Sequence, residues 1–183
     1  LDAAIASSKA PFTYVEIGIG YGQTLNSVCD YVSQHGIEFL CHGVDVPAFV
    51  GKASVSASYS HPDNVRLHLV GSSAFLTNAL VEGIRPDFIF IDGCHGCQCV
   101  VDDFLGAERI ISPGGVVAFH DTDPGCQDIH HQPHCGTGIR ARAAVAKLGL
   151  LDGIRTGWKK FDETSGNKGA GGHGCLFVQR TSD

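Results

Sequence analysis

Tyr14-Val-Glu-Ile-Gly-Ile-Gly-Tyr-Gly22 joins a short apolar run to a segment with helical spacing. The run, Phe12–Ile19 (FTYVEIGI), reads as a first strand. The segment after it, Gln23–Gln34, carries Leu25, Val28, Cys29 and Val32 on one helical face. Glycines at such a junction let the backbone approach a ligand closely, and the helix start offers free N–H groups. The spacing is G-x-G-x-G, whereas a dinucleotide fingerprint is G-x-G-x-x-G, so NAD is not the best match. Gly18, Gly20 and Gly22 alone would also suit a plain tight turn; Glu16, just before them on the strand, strengthens the ligand reading.

Working outward, the same alternation continues. Glu38–Val46, Val65–Val70, Asp87–Asp92 and Gly115–His120 read as strands two to five. Ser73–Val81, Val100–Ile111 and Ile139–Leu148 read as helices, and Ile154–Phe161 and Cys175–Gln179 as two late strands. Strands alternating with helices imply βαβ units, hence an α/β, doubly wound and mostly parallel sheet. The Gly-rich stretch Gly166–Gly174 is too short for a domain linker, so residues 1–183 are expected to form a single domain. Met is absent even at position 1, which suggests a chain trimmed at its N-terminus.

Composition narrows the function. Apolar residues make up 43% of the 183 and charged residues 17%, enough for a full core. The net charge of −6 argues against nucleic acid as a partner, because phosphate binding needs a basic surface. No stretch is long and apolar enough to span a bilayer, so no membrane partner is expected. Of the eight cysteines, Cys29 falls in a helical pattern and Cys41 and Cys175 in strand patterns, as buried free thiols do, which favours a cytoplasmic setting. Cys126–Cys135 (CQDIHHQPHC) holds two Cys and three His, yet lacks the paired spacing of a zinc site. Cys94, Cys97 and Cys99 form a second cluster.

Acidic residues stand at the strand ends. Asp45, closing strand two, can accept the hydroxyls of a ribose, since ligands in open α/β sheets bind outside the carboxyl ends of the strands. Ser72 lies in a small polar turn after strand three, where an adenine could be touched. Asp92 and Asp121 end strands four and five; if those strands are neighbours, the two carboxylates face one crevice. They could hold a divalent cation with His120 as a third ligand, or simply cap the turns that follow.

The succession E-I-G-I-G-Y-G, V-D-V, G-S-S, F-I-D-G-x-H and P-G-G-V-V-A-F-H-D resembles the class I S-adenosylmethionine-dependent methyltransferases. Its second half is most like the small-molecule O-methyltransferase branch that includes catechol O-methyltransferase and bacterial sugar and macrolide O-methyltransferases. The resemblance implies a Rossmann-like, seven-stranded sheet with an antiparallel last strand. It implies Glu16, Gly18, Gly20 and Gly22 around the methionine part of S-adenosylmethionine, Asp45 on the ribose, Ser72 near the adenine, and Asp92 in the same cofactor site. In the metal-dependent branch the ligands for Mg or another divalent metal match Asp92, His120 and Asp121. That branch usually has Asp-Asn where this chain has His120-Asp121, and often a catalytic Lys where this chain has His95.

The expectation is methyl transfer to a hydroxyl oxygen of a small-molecule acceptor, with His95 and Asp92 in catalytic roles and a homo-oligomer as a further option. His95 is the proposed base, since an imidazole titrates near neutral pH. Two rivals are a metal-dependent oxygenase or hydroxylase using Asp92, His120 and Asp121, and a non-catalytic cofactor-binding domain.

Overall fold

The computed structural model describes residues 1–8, 11–48, 59–123, 137–164 and 174–181. The Cys126–Cys135 loop lies outside them, as does the Gly-rich stretch up to its last residue. A seven-stranded sheet has the order β3-β2-β1-β4-β5-β7-β6. Its strands are β1 (Phe12–Ile17), β2 (Phe39–Val44), β3 (Val65–His68), β4 (Phe88–Ile91), β5 (Val116–His120), β6 (Trp158–Thr164) and β7 (Cys175–Arg180). β1 to β5 are mutually parallel, and β7 runs antiparallel between β5 and β6. This is the Rossmann-like sheet with an antiparallel last strand that the sequence led us to expect.

The sheet is flanked by helices that include α1 (Asp2–Ser7), α2 (Gln23–Gln34), α3 (Ser72–Glu82), α4 (Cys97–Ile110) and α5 (Thr137–Lys147). Successive strand residues point to opposite faces, so each central strand feeds two cores. Val15, Ile17, Ile89, Ile91, Val117 and Phe119 pack beneath α3, α4 and α5. Phe12, Tyr14, Phe88, Phe90, Val116 and Ala118 pack against α1 and α2, where Leu25, Cys29 and Val32 supply the buried stripe. All four residues of β4 are buried.

Two readings need correction. The late strand expected at Ile154–Phe161 begins only at Trp158 and continues to Thr164. The chain from Gly149 to Gly157 is folded into turns instead: the Ile154 and Arg155 amides both donate to the Gly149 carbonyl, and Gly153 and Gly157 have φ of 66° and 82°. Ile154 is 75% exposed, so its apolar side chain was not a core signal. The short helix α1 was not anticipated; six residues give too little periodicity to read.

β1 lies between β2 and β4, so the chain moves outward from β1 to β3 and then crosses back to the other side. The carboxyl ends of β1 and β4 therefore diverge into a crevice at the topological switch point.

Candidate active site

A cavity of about 810 Å³ opens at that crevice, within the size range of small-molecule sites. Glu16, Gly18, Gly20, Asp45, Ser72, Asp92, His95, His120 and Asp121 all line it. Every site residue named from the sequence except Gly22 thus faces one space. Gly22, with φ of 73°, sits at the start of α2 instead; a Cβ there would meet the Tyr59 hydroxyl at 2.8 Å.

The glycine loop is built to cross another loop. Gly18 has φ of 88°, and a Cβ on it would come 2.4 Å from the Asp92 carbonyl oxygen. Only glycine allows this close crossing. It brings the β1 and β4 loops together beside the cavity. The Gly20 amide donates to Asp45 Oδ2 at 3.1 Å, and the Val46 amide to Asp45 Oδ1 at 2.7 Å. The Asp45 carboxylate therefore braces the glycine loop while still lining the cavity.

Glu16 is 2% exposed. Burial pushes its carboxyl up to about 8; the Tyr14 hydroxyl, donating to Oε2 at 2.8 Å, works the other way, and the nearby Asp92 charge adds to the rise. Ser72, the first residue of α3, lies beside the buried Asp103 of α4. Burial raises the Asp103 carboxyl to about 6, against the lowering effect of the Ser72 hydroxyl. The sequence singled out Ser72 but gave no sign of its partner, since α3 and α4 meet only in the folded chain.

Two histidine–carboxylate pairs cross between strands four and five. His95 Nδ1 lies 3.0 Å from Asp121 Oδ2, and His120 Nδ1 lies 2.8 Å from Asp92 Oδ1 and 3.2 Å from Asp121 Oδ1. The bond to Asp121 raises the His95 pKa despite its partial burial. Burial acts to lower that of His120, but Asp92 and Asp121 outweigh it. One donor atom each from Asp92, His95 and Asp121 falls within 4.8 Å of the others. His95 thus joins the two carboxylates named from the sequence, while His120 Nδ1 also stays in contact with both of them.

The reading of Cys29, Cys41 and Cys175 as free thiols agrees with the structure. Cys94 and Cys99, by contrast, are joined as a disulfide, which the sequence reading did not foresee. No helix among the described residues is long and apolar enough to cross a membrane.

A family model described as a methyltransferase domain matches residues 15–122, more than half of the chain. No curated protein matches the chain in sequence. Among solved structures, an O-methyltransferase from Bacillus cereus in complex with SAH aligns over 92% of this chain and 74% of its own, at 16% identity and a TM-score of 0.68. The O-methyltransferase TomG from Streptomyces achromogenes, in complex with SAM, aligns over 92% and 73% at 18% identity and a TM-score of 0.68. An rRNA methylase from Streptococcus thermophilus aligns over 100% and 93% at 12% identity and a TM-score of 0.65. At these identities the likeness is one of fold.

Proposed function

We propose that this chain, which belongs to the methyltransferase-domain family, moves a methyl group from S-adenosylmethionine to a hydroxyl oxygen of a small molecule. The observation that carries this reading is the single cavity onto which the glycine loop, Asp45 and the two histidine–carboxylate pairs all open. The residues present fit the cofactor. A loop whose Gly18 tolerates no side chain, an acid at the end of β2 and a small polar turn at Ser72 suit its methionine, ribose and adenine parts in turn. When bound, S-adenosylmethionine supplies an electrophilic methyl on a cationic sulfur.

The chain's own task is to place the acceptor oxygen and remove its proton. With Nδ1 engaged by Asp121, the other ring nitrogen of His95 is free to act as base toward the cavity, and the carboxylate stabilises the imidazolium that results. Asp121 thus orients His95, and Asp92 holds His120 in the same way. The O-methyltransferase neighbours with bound SAH and SAM support an oxygen acceptor. The net charge of −6 favours a small molecule over an RNA substrate of the kind named for the rRNA methylase.

A second reading is favoured by the convergence of Asp92, His95 and Asp121. These residues would hold a divalent cation, which supplies Lewis acidity toward the acceptor hydroxyl. His95 would then be a ligand, and proton removal would rely on the lowered hydroxyl pKa.

The test is binding of S-adenosylhomocysteine by calorimetry, followed by radiolabelled methyl transfer to a panel of phenolic, sugar and polyketide hydroxyls, with and without chelator. Binding and transfer to oxygen are expected. Binding with no transfer to any acceptor would favour a non-catalytic domain, and absence of binding would overturn the proposal.

A further inference from the structure

The turn that leaves β4 reads Cys94-His-Gly-Cys-Gln-Cys99, three cysteines in six residues with His95 among them. Cys94 and Cys99 are joined as a disulfide, with Cα atoms 5.8 Å apart. Cys97, the first residue of α4, is a free thiol. The bridge closes around Gly96, where a Cβ would sit 3.5 Å from Cys99 Sγ and 3.6 Å from Cys94 Sγ. Cys94 lines the cavity next to His95. His95 is therefore carried on a small covalent ring, anchored through Cys99 to the first turn of α4, while its side chain reaches Asp121.

We propose that Cys94 and Cys99 form a redox modification site whose co-reactant is a low-molecular-weight disulfide of the glutathione type, and whose state sets how firmly His95 is held. The effect on turnover rests on the base role given to His95 above; the chemistry of the pair does not. The Cys94 thiolate attacks one sulfur of the oxidant, whose S–S bond breaks and releases one thiol. Cys99 then attacks the Cys94 sulfur of the mixed disulfide and expels the second thiol. The two cysteines lose two electrons and two protons in total, and one small disulfide becomes two thiols. Reduction runs the same steps backward.

Location makes the site selective. Cys29 and Cys41 also lie close, with sulfurs 3.0 Å apart, but both are fully buried between α2 and β2 and are closed to a dissolved oxidant. Cys94 stands at the cavity wall, where such a molecule can enter. Closing a short loop removes conformations that an open loop would explore. Opening the bridge returns that freedom to the backbone at His95, whose side chain keeps its bond to Asp121.

The experiment equilibrates the whole chain in glutathione buffers from fully reducing to fully oxidising, alkylates the free thiols and maps the bridges by mass spectrometry. Backbone hydrogen exchange of residues 93–99 is followed in the same samples. Cys94 and Cys99 should lose alkylation together while Cys29 and Cys41 do not change, and exchange over 93–99 should slow on oxidation. With an acceptor in hand, turnover should rise about tenfold on oxidation, because small displacements of a catalytic group are costly, while S-adenosylhomocysteine affinity stays the same. Cys97→Ser should keep the transition, and Cys94→Ser should fix the reduced behaviour. Cys94 and Cys99 still alkylated in the most oxidising buffer, a bridge made to Cys97 instead, or equal exchange in both states would overturn the proposal. Failure to bind S-adenosylhomocysteine in either state would instead sink the transferase reading, and the thiol mapping would still decide this one.

Discussion

His95 Nδ1 stands 3.0 Å from Asp121 Oδ2, so the loop leaving β4 is tied to the end of β5 across the mouth of the cavity. Asp121 is 4% exposed and has φ of 57°, the one positive value at a non-glycine residue among those described. Asp and Asn are the side chains that best tolerate that conformation, because their short polar groups can bond locally. The usual Asn of the metal-dependent branch would meet the same backbone demand.

The first prediction follows from that pair. His95→Gln should leave S-adenosylhomocysteine affinity unchanged and lower turnover by roughly 10²–10⁴-fold, the range for loss of a general base. Steady-state kinetics with the identified acceptor checks it. Near-normal turnover would remove His95 from the mechanism.

Mn²⁺ separates the two readings of the site. If Asp92, His95 and Asp121 hold a cation, calorimetry should show one Mn²⁺ per chain, lost in Asp92→Asn, and chelation should abolish turnover. If His95 is the base, activity should survive exhaustive chelation.

Asp45→Ala should weaken S-adenosylhomocysteine binding by about 1–3 kcal/mol, as expected when hydroxyls lose a charged acceptor. Part of the loss should come from the glycine loop, since the Gly20 amide loses its partner. Calorimetry measures it; tighter binding of NAD than of S-adenosylhomocysteine would contradict the assignment of the cavity.

Gly18→Ala places a methyl group against the Asp92 carbonyl and forces a strained φ. A loss of about 1–3 kcal/mol is expected from overpacking alone, together with loss of cofactor binding. Thermal unfolding with and without S-adenosylhomocysteine tests both. Gly20→Ala is the contrast: it meets nothing within 4 Å, so its cost should come from its backbone conformation alone.

Stability should fall as pH rises through the raised pKa of Asp103. Its carboxyl titrates at about 6 in the folded chain against an ordinary 3.8, chiefly because it is buried. The folded state therefore holds a proton that the unfolded state has released, and stability present below about 4 is lost as pH passes 6. At about 1.4 kcal/mol per pKa unit the loss is on the order of 3 kcal/mol. Asp103→Asn should flatten this part of the curve in denaturant titrations at pH 4.5 and 7.5. The slope toward pH 8 that buried Glu16 adds should remain.

Much of this arrangement was legible in the chain. The G-x-G-x-G turn, the strand-end acids and the alternation of strands and helices are local signals, and local patterns placed Glu16, Asp45, Asp92 and Asp121 at one edge of the sheet. Partners separated in sequence were not legible. Nothing in the order of residues says that His95 would turn to Asp121 rather than Asp92, or that Asp103 would lie under Ser72. The Cys94–Cys99 bridge was missed because its spacing matches no familiar framework and the surrounding residues look like an ordinary turn into a helix. The late strand was misplaced because Ile154 is apolar yet exposed, and only the backbone of Gly149–Gly157 reveals the turns there.

The seat of β7 inside the sheet bears on how the molecule comes off the ribosome. It follows the other described strands in sequence, yet it fills the gap between β5 and β6. Until Arg180 has emerged, β5 has a neighbour on one side only, and the strand end bearing His120 and Asp121 borders an open groove. β6, already synthesised, must wait for β7, its one sheet partner among the described residues. The nascent chain can assemble β1 to β5 early, but the cavity wall at His120 and Asp121 closes only with β7. A ribosome stalled between Thr164 and Cys175 would display a half-built edge ready to pair with a foreign strand.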